Sequence, residues 1–253
     1  MSGLWIEDLA WPEVGSRLAA GWPVIVPIGA RAKEHGHHLP MQTDYLVARA
    51  LADGIAAQLP VLVAPVVDFG YYPAFLGYPG SQHLKAETFI ALLDDILDRL
   101  LEQGAAHIAI INTGVSTEGP VQIAVRNILS RRGMQVAVAD MRHLGKASAR
   151  GMQQELGGHG DERETSLMLA IAPATVDMSK AVTDYGNMRE QPDTVFYRPS
   201  AFTGDPTRGI NYSRTGVRGD PTLATAEKGK AILDDMVGEL VAGLRLLCPG
   251  LQS

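Results

Sequence analysis

The chain is expected to fold as an α/β protein with a mainly parallel sheet and helices on both faces. Three observations predict this: short apolar runs, longer amphipathic stretches, and the regular alternation of the two. The apolar runs at 23–28, 61–66, 107–111 and 134–139 are rich in Val, Ile and Ala and end at loop-forming residues, as buried parallel strands do. Helical periodicity fills 44–59, 86–103, 120–132, 165–172 and 222–247. The stretch 86–103 is the clearest. It sets Phe89, Leu93, Leu97 and Leu100 on one face, with Asp94, Asp95, Asp98 and Arg99 outside, and Gly104 stops it. Gly133 stops the next helix in the same way.

In such a sheet, ligands sit in the loops beyond the carboxyl ends of the strands. The loops after Ile28, Val66, Ile111 and Ala139 are therefore where functional side chains are expected. Residues 184–220 show no periodicity and are rich in Pro, Gly, Asn, Arg and Tyr. A stretch of that length is a lid, an interface arm or an ordered surface excursion.

Composition narrows the partners. The 253 residues, 46% apolar, are expected to form one unit over 1–253 with a core large enough to need no disulfide. The lone Cys248 cannot pair within the chain, which suits a reducing cytosol, and it reads as a small apolar residue ending a helix. The N-terminus carries acids early and no basic leader, so no signal peptide is expected, and no apolar run approaches the roughly 20 residues that span a bilayer. A cytoplasmic protein follows. The net charge of −6, with no Lys/Arg cluster, excludes a nucleic-acid footprint and leaves a small-molecule substrate as the expected partner.

The loop after the first predicted strand is the richest in chemistry. Three histidines (His35, His37, His38) and two carboxylates (Glu34, Asp44) fall within eleven residues. Imidazole and carboxylate together suit a divalent Zn, Mn or Fe ion. The alternative is a polar loop in which Asp44 simply favours a helix N-terminus.

This loop resembles the E-x-H-G-x-H-L-P-x-x-x-D segment of the creatininase (creatinine amidohydrolase) family, with His35, Gly36, His38, Leu39, Pro40 and Asp44 in place. The resemblance implies that His35 binds one metal and that Asp44 bridges two. The leading Glu ligand would fall on Lys33. Glu34 comes one residue late, and successive residues of an extended chain face opposite sides, so Glu34 cannot take over without a local backbone change.

Residues 75–81 resemble the family's H-x-x-F-P-G-T turn, with Phe75 where the His stands. After the third strand the family has N-G-H-x-E-N. Here Asn112 is kept, the His is absent, and the Glu position falls on Ser116, or on Glu118 if the loop is two residues longer. Glu118 reads equally as a first-turn helix residue. Residues 158–170 resemble H-A/G-G-x-x-E-T-S-L-M-L-A, which implies His159 as a proton shuttle beside the substrate and Glu164 as a residue holding substrate and site. Residues 215–229 resemble the closing G-V-x-G-D-P-x-x-A-T-A-E-K-G, for which a structural or interface role is expected.

Family members hydrolyse C–N bonds of amides with two metals about 3.5–4 Å apart. The ligands missing at Lys33 and near Gly114 and Val115 change that expectation. The resemblance then implies an enzyme acting on a small amide, lactam or related cyclic substrate with one divalent metal or none. His159, Lys33 and Glu164 would be catalytic. His35, Asp44, Glu118 and Glu34 are the candidate metal ligands, and His38, Phe75 and Ser116 the candidate substrate contacts. Lys33 would put its ammonium where the charge of the lost metal stood, or act as a base. Two rival readings stand beside this one: a lyase, isomerase or cyclase using His159 and Lys33 for proton transfer, and a catalytically silent binding homologue. The resemblance also implies a homo-oligomer, commonly a hexamer.

Overall fold

Side chains alternate across each strand, and this alternation builds two cores. The computed structural model describes residues 2–186 and 213–251, with positions 195, 205 and 207. Its strands are β1 (Leu4–Trp5), β2 (Val24–Ile28), β3 (Leu62–Val63), β4 (Ile108–Asn112) and β5 (Ala137–Asp140), all parallel, in the order β1-β3-β2-β4-β5. Val24, Val26, Ile28, Leu62, Ile108 and Ile110 face one core, while Ile25, Val63 and Ile111 face the other.

Helices α1 (Trp11–Ala19), α3 (Ala86–Glu102) and α4 (Glu118–Arg132) cover the first face through Leu18, Phe89, Leu93, Leu97, Val121 and Ile128. Helices α2 (Thr43–Ala56), α6 (Glu162–Ile171) and α7 (Ala226–Leu247) cover the second through Leu51, Ile55, Met168, Met236 and Leu240. The short α5 (Lys146–Ala149) precedes α6. Helices α6 and α7 touch almost backbone to backbone. A Cβ on Gly229 would lie 1.7 Å from the Ser166 carbonyl oxygen. The paired E-T-S-L and A-E-K-G segments are therefore packing signals.

The four predicted strands and five predicted helices are present, with shifted ends. The third strand stops at Val63 rather than 66; Pro65 has no N–H for a ladder, and pairing resumes only as the bridge of Val67 to Ile28. The fifth begins at Ala137 rather than 134. Helix α4 starts two residues early, at Glu118. Helix α6 starts at Glu162, where the Asp161 carboxylate accepts from the Arg163 and Glu164 amides. Helix α7 starts at Ala226, where the Thr225 hydroxyl accepts from Lys228. Most of 184–220 lies outside the described residues. Asp184 and Gly219 bridge in antiparallel fashion, and the Asp184 carboxylate accepts from Thr215 Oγ1 at 2.5 Å.

Register decides where the loops emerge. Ile28 aligns with Asn112, and Asn112 with Asp140, so the loops after β2, β4 and β5 leave one edge side by side. The chain runs from β2 to β3 on one side and from β4 to β5 on the other. The crevice between β2 and β4 is thus the switch point where such sheets bind ligands.

Candidate active site

Asp44 is the anchor of the crevice. It lies in the first turn of α2, and its carbonyl is pinned by the Thr113 hydroxyl at 2.9 Å. Gly29 lets the helix come this close, since a Cβ there would stand 2.3 Å from the Asp44 carbonyl oxygen. The carboxylate is buried, at 3% exposure. Its Oδ2 accepts from Lys33 Nζ at 2.6 Å and its Oδ1 faces His35 Nε2 at 2.9 Å. Burial would raise the Asp44 pKa; the charges and hydrogen bonds of Lys33 and His35 overcome that and hold it well below the usual carboxylate range.

The other nitrogen of His35, Nδ1, faces the Lys33 carbonyl at 2.9 Å. Both bonds form together only when both ring nitrogens carry a hydrogen. Lys33 also sits under the Phe75 ring, 5.1 Å from its centre.

His159 stands beside this triad. Its ring centre is 4.7 Å from that of His35 and 4.6 Å from that of Phe75. Its Nε2 faces the Glu34 carbonyl at 2.7 Å and the Glu34 carboxylate at 3.2 Å, and its Nδ1 lies 3.7 Å from Glu164 Oε2. Burial lowers the His159 pKa, but the charge and hydrogen bond of Glu34 and the charge of Glu164 outweigh it, so the net shift is upward. Glu164 moves the opposite way: burial raises its pKa, while His159, His35 and Lys33 bring it below the ordinary value. Its carboxylate also accepts from the Gly160 amide at 2.6 Å. Three carboxylates, Asp44, Glu34 and Glu164, thus face one lysine and two imidazoles.

The remaining candidates are distributed around this cluster. The Glu34 carboxylate packs against Gly216. A Cβ on Gly216 would stand 1.9 Å from Glu34 Oε1. His38 is buried behind the loop with its Nε2 on the Thr165 hydroxyl at 2.8 Å, and burial brings its pKa down to about 4. Ser116 lines a small cavity with Lys33 and Asp44. Glu118 is not brought into the cluster: it pairs with Arg142, because α4 begins at this residue and carries it out of the crevice. His37 is exposed.

Sequence reasoning missed Gly216 and Arg218. The antiparallel bridge of Arg218 to His159, with N···O distances of 3.1 and 2.8 Å, holds His159 in place from the closing G-V-x-G-D-P segment. The ordered resemblance of that segment was the available signal.

Ligand-type side chains that come within 4.8 Å of one another, among the described residues, are His35, His159 and Glu164. Two nitrogens and a carboxylate suit one Zn or Mn ion. In the arrangement present, His35 directs both nitrogens at acceptors and would have to release one to bind an ion. A two-metal centre does not fit: both Asp44 oxygens are engaged, Lys33 stands in the place of a ligand, and Gly114 and Ser116 offer no imidazole or carboxylate.

A parallel α/β layer with a buried acid–base cluster at its switch point has the layout of an enzyme active site. The creatininase profile, described as creatinine amidohydrolase, matches residues 7–244, and the chain belongs to the creatininase family, as an amidohydrolase-type enzyme. It is 29% identical to the creatinine amidohydrolase of Pseudomonas putida, covering 96% of each chain. It is 28% identical to the mycofactocin precursor peptide peptidase of Mycobacterium ulcerans, covering 93% of this chain and 90% of that one. A manganese creatininase structure superposes with a TM-score of 0.80 at 27% identity, covering 98% of this chain and 99% of that one. A creatininase variant of zinc–zinc type gives 0.81 at 27% identity, covering 98% and 100%. Among the described residues, no helix is long and apolar enough to cross a membrane.

Proposed function

We propose that this chain hydrolyses a C–N bond of a small amide, lactam or related cyclic substrate, with at most one divalent ion and with Lys33 as a built-in cation. The observation that carries this reading is the 2.6 Å ion pair of Lys33 with Asp44, at 8% and 3% side-chain exposure. Buried there, the ammonium is a fixed positive charge in a medium where charge acts strongly. It favours the negative charge that grows on a carbonyl oxygen as water adds.

Hydrolysis needs water oxygen to bond to the carbonyl carbon, the C–N bond to break, and one proton to pass from the water to the leaving nitrogen. In this reading His159 takes that proton and returns it, a role supported by its contacts with the Glu34 and Glu164 carboxylates. Phe75 closes over Lys33 and His159 and excludes bulk water.

Lys33→Glu tests this. An ammonium 4 Å from a cation is repelled by about 4 kcal/mol per unit of cation charge at an effective dielectric near 20. Removing that repulsion and adding a carboxylate is expected to raise the bound Zn or Mn measured by elemental analysis, while hydrolysis of an amide panel is lost. Parent-like metal content together with parent-like activity would refute the built-in cation.

A further inference from the structure

His159 sits between Gly158 and Gly160, in the turn that leads into α6. Glycines restrain a backbone little, so the place of the imidazole depends on what holds this turn. On one side Arg218 pairs with His159 through the backbone. On the other the Asp161 carboxylate gathers the chain. Its Oδ1 accepts from the Arg163 and Glu164 amides, both at 3.0 Å, and its Oδ2 accepts from the Gly158 amide at 3.1 Å. Asp161 is buried, so these bonds form away from water.

A residue outside the turn joins the two sides. Gln154 Nε2 donates to Asp161 Oδ2 at 2.9 Å. Gln154 Oε1 accepts from the Glu162 amide and from the Asp220 amide, both at 3.1 Å. One carboxamide thus ties the first turn of α6, which carries Glu164, to the closing segment, which carries Arg218. It needs a donor at one end and an acceptor at the other, which only an amide side chain of this length supplies here.

From this geometry we propose that Gln154 is a positioning residue. Through Asp161 and the closing segment it fixes the turn at 158–161, and so sets His159 against Glu34 and Glu164. It acts through the turn and not on reacting atoms. The inference rests on the hydrolytic reading only for its effect on rate.

Gln154→Met keeps the length of the side chain and removes all three bonds. Gln154→Glu keeps the acceptor for the two amides and sets a like charge against Asp161. The His159 ring signals, assigned by their loss in His159→Gln, are followed by ¹H–¹³C NMR at one fixed pH. Those of His107, just ahead of β4 at the opposite end of the sheet, are the internal reference. Both Gln154 variants should shift the His159 signals and leave those of His107 in place. Gln153→Met removes the neighbouring contact with Lys228 but none with the turn, and should shift neither. Circular dichroism melts check folding, and Gln154→Glu carries the test alone if Gln154→Met does not fold.

Unmoved His159 signals in Gln154→Glu overturn the proposal. So does an equal shift in Gln153→Met, which would mean that any loosening of this loop reaches His159. On the hydrolytic reading, the Gln154 variants lower kcat about tenfold and leave KM within about twofold, because a misplaced proton-transfer group costs rate rather than binding. The NMR measurement needs no turnover, so the two readings separate. Shifted signals with no amide hydrolysed by the parent leave the positioning role standing and remove the hydrolytic reading. Amide hydrolysis with unmoved signals does the reverse.

Discussion

Two groups of ion pairs in this protein have nearly the same distances and different consequences. On the outer face, Arg131 reaches Asp94 at 3.1 Å and Asp98 at 2.8 Å, and Arg132 reaches Asp98 and Glu102, both at 2.8 Å. The two arginine side chains are 42% and 41% exposed. In the crevice, Lys33 meets Asp44 at 2.6 Å with both side chains nearly buried. Water solvates the first group whether or not the pairs form. The second group has given up its water, so each member depends on its partner. Distance alone does not rank an ion pair; burial does.

The largest effect should come from removing the buried cation. Lys33→Met leaves Asp44 charged and desolvated beside a single imidazole, which is expected to cost about 3–5 kcal/mol of stability. Urea unfolding at neutral pH measures it. Adding Asp44→Asn to the same chain removes the stranded charge and should recover most of the loss. If the single variant is as stable as the parent, the pair is not the desolvated unit described above.

The next effect is a pH dependence. His38 titrates near 6.5 when unfolded, but burial brings it to about 4 in the fold. As pH falls from 6.5, the unfolded chain takes up this proton first, so stability falls until pH reaches about 4 and then levels off for this group. The full loss is about 3 kcal/mol, from a shift of two to three units at 1.36 kcal/mol each. The difference between parent and His38→Gln unfolding free energies, followed from pH 7 to pH 4, isolates this contribution. A constant difference across that range would show that His38 protonates without penalty.

Most of the fold was legible because burial periodicity is written in residue type: Val24 to Ile28 and Phe89 to Leu100 need no partner to be recognised. Strand β1 was not legible, since two residues carry no periodicity, and the end of β3 depended on Pro65. The loop residues Lys33, His35 and Asp44 stood out by their chemistry. Chain alternation indicated only that Glu34 would not stand in for a ligand at the Lys33 position. Its contacts with His159 and Gly216 were not legible, because they join segments at least 125 residues apart in sequence. Glu118 was ambiguous in sequence because a first-turn helix acid and a metal ligand look alike; only the start of α4 separates them.

The smallest effect belongs to the outer arginines. Arg131→Gln and Arg132→Gln, separately, should shift the urea midpoint by no more than the scatter between repeats, because exposed pairs exchange one hydrated state for another and are screened by salt. Together they remove the four arginine contacts from α4 to α3 and leave the weaker Asn127–Asp94 hydrogen bond at 3.4 Å on this face, so the double variant is the sharper measurement. The helices remain packed through Phe89, Leu93, Leu97, Val121 and Ile128, all buried, and that apolar contact is untouched by either change. A small midpoint shift in the double variant that disappears at 1 M salt, where the Debye length is about 3 Å, is the expected outcome. A loss that persists at high salt and matches that of Lys33→Met would mean that geometry, rather than burial, sets the worth of an ion pair here, and the contrast between the two faces would fall.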